Sequence, residues 1–278
     1  MESGSPHRLS PGAAFPGQPA ASQGRGLHCP YCRHRVSFEQ RECPNCGGGL
    51  LLDSTKLKFA RLEDGTCCGN REVIGCNWSV DDGGRYCGSC SLNRTIPNLS
   101  FPRNVLLWWR VEEAKRRLIH DLRRLRLPLV SRSGATIAFD ILTEEAGPVL
   151  TGHRSGLITL NIVEADDVER ESRRTAFKEP YRTLLGHFRH EIGHFYWELI
   201  VQGTKLQGSF NLIFGDAAQD YQGALQSYYG RADRAFDRSG LISEYATSHP
   251  WEDWGRDVRP FPSHRVDPRH PGRLATRA

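Results

Sequence analysis

Between residues 104 and 126 the chain reads NVLLWWRVEEAKRRLIHDLRRLR, with Leu107, Val111, Ala114, Leu118 and Leu122 three or four positions apart and charges between them. That spacing predicts an amphipathic helix that ends before Pro128, because proline disfavours helical geometry in the residue ahead of it. Its charged side carries Lys115, Arg116, Arg117, Arg123, Arg124 and Arg126, expected as a solvated face rather than a nucleic-acid surface. TIAFDIL (136–142) and LITLNIV (157–163) then show β-branched alternation around a Gly-containing loop, which predicts two strands, expected to be antiparallel. From 181 to 201 no proline interrupts a run in which Leu184, Leu185, Phe188, Ile192, Phe195, Trp197 and Leu199 recur at helical spacing. A second helix, one that can be buried, is expected there. The order helix, sheet, helix makes the fold class α+β, with a small antiparallel sheet.

The two ends lack such patterning. The first 26 residues are rich in Pro, Gly, Ser and Ala and nearly free of large apolar side chains, so they are expected to be disordered. From Gly255 to Ala278 there are six Arg, four Pro, no Lys and no Glu in 24 residues.

Composition adds limits. At 278 residues, with 38% hydrophobic and 9% aromatic content, the chain can bury a real core. No apolar run reaches the ~18–20 residues that span a bilayer, and the N-terminus lacks the apolar centre of a signal peptide, so a cytoplasmic protein with no membrane partner is expected. The formal charge of +5 comes largely from the tail, since removing its six Arg and two Asp leaves 31 basic against 30 acidic residues. Nucleic acid is therefore a possible partner through basic segments but not the favoured one.

All nine cysteines lie between positions 29 and 90. Cys29-Pro-Tyr-Cys32 and Cys43-Pro-Asn-Cys46 form two CxxC pairs ten residues apart, a pattern in which four thiolates close a tetrahedral zinc site. Gly47 suits the tight turn that follows the second pair. Cys67, Cys68, Cys76, Cys87 and Cys90 offer five thiols for a second site. Neighbours in sequence rarely face one metal, so Cys68, Cys76, Cys87 and Cys90 are expected as ligands, with Cys67 spare. Four thiolates leave no open position, so both sites are expected to be structural.

The chemistry lies in HFRHEIGHFYW, residues 187 to 197. On a helix His190 and His194 stand one turn apart and aim two imidazoles at one point, while Glu191, ~100° around the axis, can reach a water there. This is the H-E-x-x-H arrangement of zinc peptidases, with two metal ligands and a glutamate general base.

The runs TGHRSGLITLNIVEADDVERESRR, EPYRTLLGHFRHEIGHFYW, GDAAQDYQGALQSYY and YATSHPWEDW resemble the bacterial family of zinc-binding metallopeptidases that carry an N-terminal zinc ribbon. CNW (76–78), CGSC (87–90) and LNRTIPNLS (92–100) resemble its ribbon half. The resemblance covers residues 27 to 254. It implies a zincin-like zinc hydrolase of peptides, whose substrate the family does not reveal. The expected organisation is a tail (1–26), a zinc ribbon (27–52), a second four-cysteine module (53–100), a peptidase domain (101–254) and an irregular basic tail (255–278). A catalytic zinc needs a third protein ligand. Glu252 in SHPWEDW is the preferred candidate, with His187 and His249 as rivals, and Tyr245 or His249 as candidates to stabilise an oxyanion. Four positions after Glu252, where an acid orienting a ligand histidine is wanted, stands Arg256. One reading of the tail is a basic segment for nucleic acid or acidic partners. Another is a shifted frame: GC-rich codons with the first nucleotide dropped turn GRDVRPFPSHRVDPRH into AETFAHFLHIVSTLDT, an amphipathic helix.

Overall fold

The structure is a computed structural model and describes residues 26–81, 83–176, 183–230 and 244–257. Nearly all of both tails, residues 1–25 and 258–278, lies outside that range. In chain order the helices and strands are β1 (Leu50–Asp53), β2 (Lys58–Arg61), α1 (Arg71–Ile74), β3 (Asn93–Thr95), α2 (Pro102–Arg124), β4 (Ala138–Leu142), β5 (Gly152–Arg154), β6 (Leu157–Asn161), α3 (Asp167–Ala176), α4 (Leu184–Ile200), α5 (Leu206–Phe214), α6 (Tyr221–Gly230) and α7 (Pro250–Asp257). The class is α+β, as the periodicities predicted.

Helix α2 starts with Pro102, whose fixed φ suits a first turn, and ends ahead of Arg126 in the left-handed region. It buries Leu107, Val111, Ala114, Leu118 and Leu122, the stripe read from the sequence, together with Trp108 and Ile119. The basic face is corrected. Arg124 and Arg126 are exposed, but Lys115 and Arg116 are 0% and 1% exposed. The helical period places 112, 115, 116 and 119 on one side, and that side meets the cysteine-rich half of the chain. Lys115 Nζ lies 2.7 Å from Glu112, itself held by Asn93 and Trp108. Arg116 and Arg117 both reach Glu39, at 3.4 and 3.0 Å, and Arg123 reaches Asp81 and Ser54. These cations bind this chain's own carboxylates. Glu39→Gln should therefore weaken the carboxylate hydrogen bonds of Arg116 and Arg117, with the Cys76 and Cys90 charges still facing Arg116, and cost ~1–3 kcal/mol, a sizeable part of the ~5–15 kcal/mol that holds a domain folded. Urea unfolding reads this directly, and a change within ~0.5 kcal/mol, the range of ordinary surface substitutions, would contradict it.

The sheet also departs from expectation. Its order is β3-β4-β6-β5, with β3–β4 and β4–β6 parallel and only β5–β6 antiparallel. Alternation marks strands but carries no direction. The connection from β4 to β6 includes β5, which folds back on β6 through Ser155 and Gly156, both at positive φ. The outer edge beside α4 is thus β5, whereas β6 lies inside the sheet. One apolar core then joins α2, β4, β6 and α4: Val111, Leu118, Phe139, Ile158, Phe188 and Ile192 are all buried, and Phe139 meets Phe188 edge-on at 5.6 Å.

That core does not stop at residue 100. It runs on through Leu50, Leu52, Phe59 and Trp78 of the cysteine-rich half. Residues 93–95, assigned from the sequence to the second cysteine module, form β3, which hydrogen-bonds with β4 of the four-stranded sheet, and Arg94 is paired to Asp140 across that junction. The ribbon is fused into the body that carries α4. None of the described helices is long and apolar enough to cross a membrane.

Candidate metal centres

Three groups of ligand-type side chains converge among the described residues. Cys29, Cys32, Cys43 and Cys46 form the first, on two turns closed by Cys29 N–H to His34 O and Cys43 N–H to Gly48 O. Each turn needs a left-handed residue just after its second cysteine, Arg33 in one and Gly47 in the other. Cys29–Cys46 and Cys32–Cys43 sulfurs lie 3.7 and 3.6 Å apart. Tetrahedral ligands at ~2.3 Å from zinc stand ~3.8 Å from one another, so the sulfurs have the spacing that zinc requires.

Cys68, Cys76, Cys87 and Cys90 form the second group, all buried, with Cys76–Cys87 at 3.7 Å and Cys90–Cys76 at 3.9 Å. Cys67 stays outside it. The amides of Cys87 and Cys90 donate to the sulfurs of Cys68 and Cys87. Four thiolates around Zn²⁺ carry a net charge of −2, which a buried site must offset. Helix α2 supplies the offset: Arg116 is held above its usual range despite burial by the charges of Glu39, Cys76 and Cys90, and Lys115 acts electrostatically on Cys90.

The third group is the candidate catalytic site. Thr183 caps α4 by accepting from Gly186 N, and the helix carries His190 and His194 on one side. Their Nε2 atoms lie 3.1 Å apart, and Glu252 of α7 reaches His190 through Oε2 at 2.9 Å and His194 through Oε1 at 3.8 Å. Ligands at ~2.1 Å from a tetrahedral zinc stand ~3.4 Å apart, so two imidazole nitrogens and a carboxylate oxygen fit that ion. His194 and Glu252 are each 3% exposed. Burial would push the Glu252 carboxyl up, but the His190 hydrogen bond, the charges of both histidines and a Tyr221 hydrogen bond outweigh it and bring the group to about 2. Burial, reinforced by the neighbouring His190, holds His194 well below its usual range, as a neutral metal-ligating imidazole must be. Glu191 is buried and does not join the three ligand atoms; its charge is felt at the Tyr221 hydroxyl.

Helix α7 is seated firmly. His249 stands just before it, where its backbone oxygen accepts from Glu252 and Asp253 and its Nδ1 from Trp251. Trp254 donates to Gly193 O at 2.8 Å, and Trp251 lies over His194 with centroids 3.8 Å apart. The two rival ligands are engaged elsewhere, His249 near Gln219 O and His187 near Glu164 at 3.7 Å. Arg256 is buried with its guanidinium 4.8 Å above the Tyr245 ring. The shifted frame would place Ala at 255, where a Cβ would lie 2.7 Å from the His190 ring, so that ring would have to move.

Two residues escaped the sequence reading. Tyr221 donates to Glu252 Oε1 at 2.7 Å; its only signal was membership of the run GDAAQDYQGALQSYY. His153 sits on the edge strand β5, with its ring 6.5 Å from that of His194, and burial lowers it to about 4.

A family model described as "Putative zinc-binding metallo-peptidase" matches residues 104–259, more than half of the chain. The chain belongs to this metallopeptidase family. A zinc-ribbon domain model matches residues 26–101, and zinc binding is what both models share. Relatives of this chain include uncharacterized proteins of Mycobacterium bovis and of two strains of Mycobacterium tuberculosis. Each is 40% identical over 239 residues, covering 83% of this chain and 70% of the relative. No solved structure matches.

Proposed function

We propose that this protein is a zinc-dependent peptidase in which His190, His194 and Glu252 hold the catalytic ion, Glu191 is the general base, and the eight clustered cysteines hold two structural ions. The observation that carries the reading is the buried convergence of two imidazoles and one carboxylate beside a second carboxylate left outside the ligand set. Zinc in such a site supplies Lewis acidity that brings a water's pKa down to ~7 and polarises a carbonyl. Glu191, one residue from His190, accepts the proton of the attacking water on its carboxylate and passes it to the leaving amine. The β5 edge beside α4 offers backbone groups on which an extended peptide can add as a further strand.

A reading as a non-enzymatic module whose ribbons bind nucleic acid or protein, with the histidine motif vestigial, draws no support from the basic face of α2, since Lys115, Arg116, Arg117 and Arg123 are occupied by Glu112, Glu39 and Asp81. Glu191→Gln tests the enzymatic reading. The variant should keep its zinc and lose ~10²- to 10⁴-fold in peptide hydrolysis, measured on a peptide library that the wild-type protein cleaves. Undiminished cleavage would remove Glu191 from the mechanism.

A further inference from the structure

A glutamate ligand has a weakness that an imidazole lacks. Its terminal torsion is broad, so the carboxylate can present either oxygen, both, or neither. In this protein one of the two oxygens is already engaged. Tyr221, first residue of α6, donates its hydroxyl to Glu252 Oε1 at 2.7 Å, while Oε2 lies 2.9 Å from His190 Nε2. The phenol ring is itself held, edge-on to His249 at 5.2 Å and to Trp251 at 5.4 Å. These two residues flank the start of α7, so the ring and the carboxylate it aims belong to one packed unit.

We propose that Tyr221 is the positioning residue of the catalytic zinc site: by holding Glu252 Oε1, the oxygen 3.8 Å from His194 Nε2, it keeps Oε2 turned to His190 and the fourth position open. The inference rests on the ligand set proposed above. A hydroxyl has one proton to donate, and Tyr221 donates it to Glu252 Oε1. Tyr245 is differently placed, with its ring beneath the Arg256 guanidinium.

Tyr221→Phe removes one oxygen and keeps the ring packing. Outer hydrogen bonds to metal ligands typically contribute ~10- to 100-fold in affinity, so the variant's third, histidine-bound zinc should bind that much more weakly in competition with a chromophoric chelator. The cysteine-held zinc should be unchanged, which verifies that the variant is folded. Co²⁺ loaded in place of that zinc should show an altered visible absorption, because loss of the hydrogen bond changes how the carboxylate meets the ion. Full-length wild type and Glu252→Ala are titrated alongside. If Glu252→Ala loses affinity and Tyr221→Phe matches wild type in both affinity and Co²⁺ spectrum, the positioning role is wrong and the site stands. If Glu252→Ala also binds like wild type, the ligand set is wrong and the proposal falls with it.

Discussion

Cys76→Ser should unfold the whole described body, not the cysteine-rich half alone. Cys76 is fully buried in the second thiolate cluster, 3.7 Å from Cys87 and 3.9 Å from Cys90. Structural zinc contributes ~10–16 kcal/mol to the folding of small modules, at least as much as the ~5–15 kcal/mol net stability of a typical domain. Loss of one of four thiolates forfeits much of that. The effect spreads because there is one core: β3 pairs with β4, Trp78 and Phe188 belong to the same apolar cluster, and Arg116 and Lys115 would face a cluster whose charge no longer matches theirs. Thermal unfolding followed by tryptophan fluorescence and by far-ultraviolet circular dichroism should show the α4 signal lost with the ribbon. A variant in which the helical signal keeps its wild-type midpoint would mean that the two halves fold separately.

His190→Ala should abolish hydrolysis. The remaining His194 and Glu252 give two protein ligands, where catalytic zinc uses three plus an open position. Glu252 would also lose the partner that chiefly offsets its burial. The loss should exceed the ~10²- to 10⁴-fold of a missing general base, since base and Lewis acid fail together. Residual activity within tenfold of wild type would place the chemistry elsewhere.

The long periodic elements were readable from the sequence, because Leu107 to Leu122 and Leu184 to Leu199 repeat over several turns and one packed face must hold them. The pairing of His190 with His194 is local and follows from helical spacing alone. What was hidden depended on distance through space. Glu39 neutralises Arg116 from 77 residues away, so a buried cation looked like a solvated one. Strand β3 spans three residues and β5 another three, too short to announce themselves by alternation. Without them the direction of β4 relative to β6 had no signal. Which of Glu252, His187 and His249 lies against His190 and His194 likewise depended on the seating of α7, which Trp254 and Gly193 provide. Tyr221 stands 31 residues from the carboxylate it holds, and nothing in its neighbours marks it as part of a site.

The central claim is that three metal centres coexist in one chain, two held by cysteines and one by His190, His194 and Glu252. Elemental analysis of the purified full-length protein after passage through a metal-free column, beside His190→Ala, tests it most directly. The account predicts three zinc ions per chain in the wild type and two in the variant, with both proteins folded. Equal zinc content in the two would contradict it.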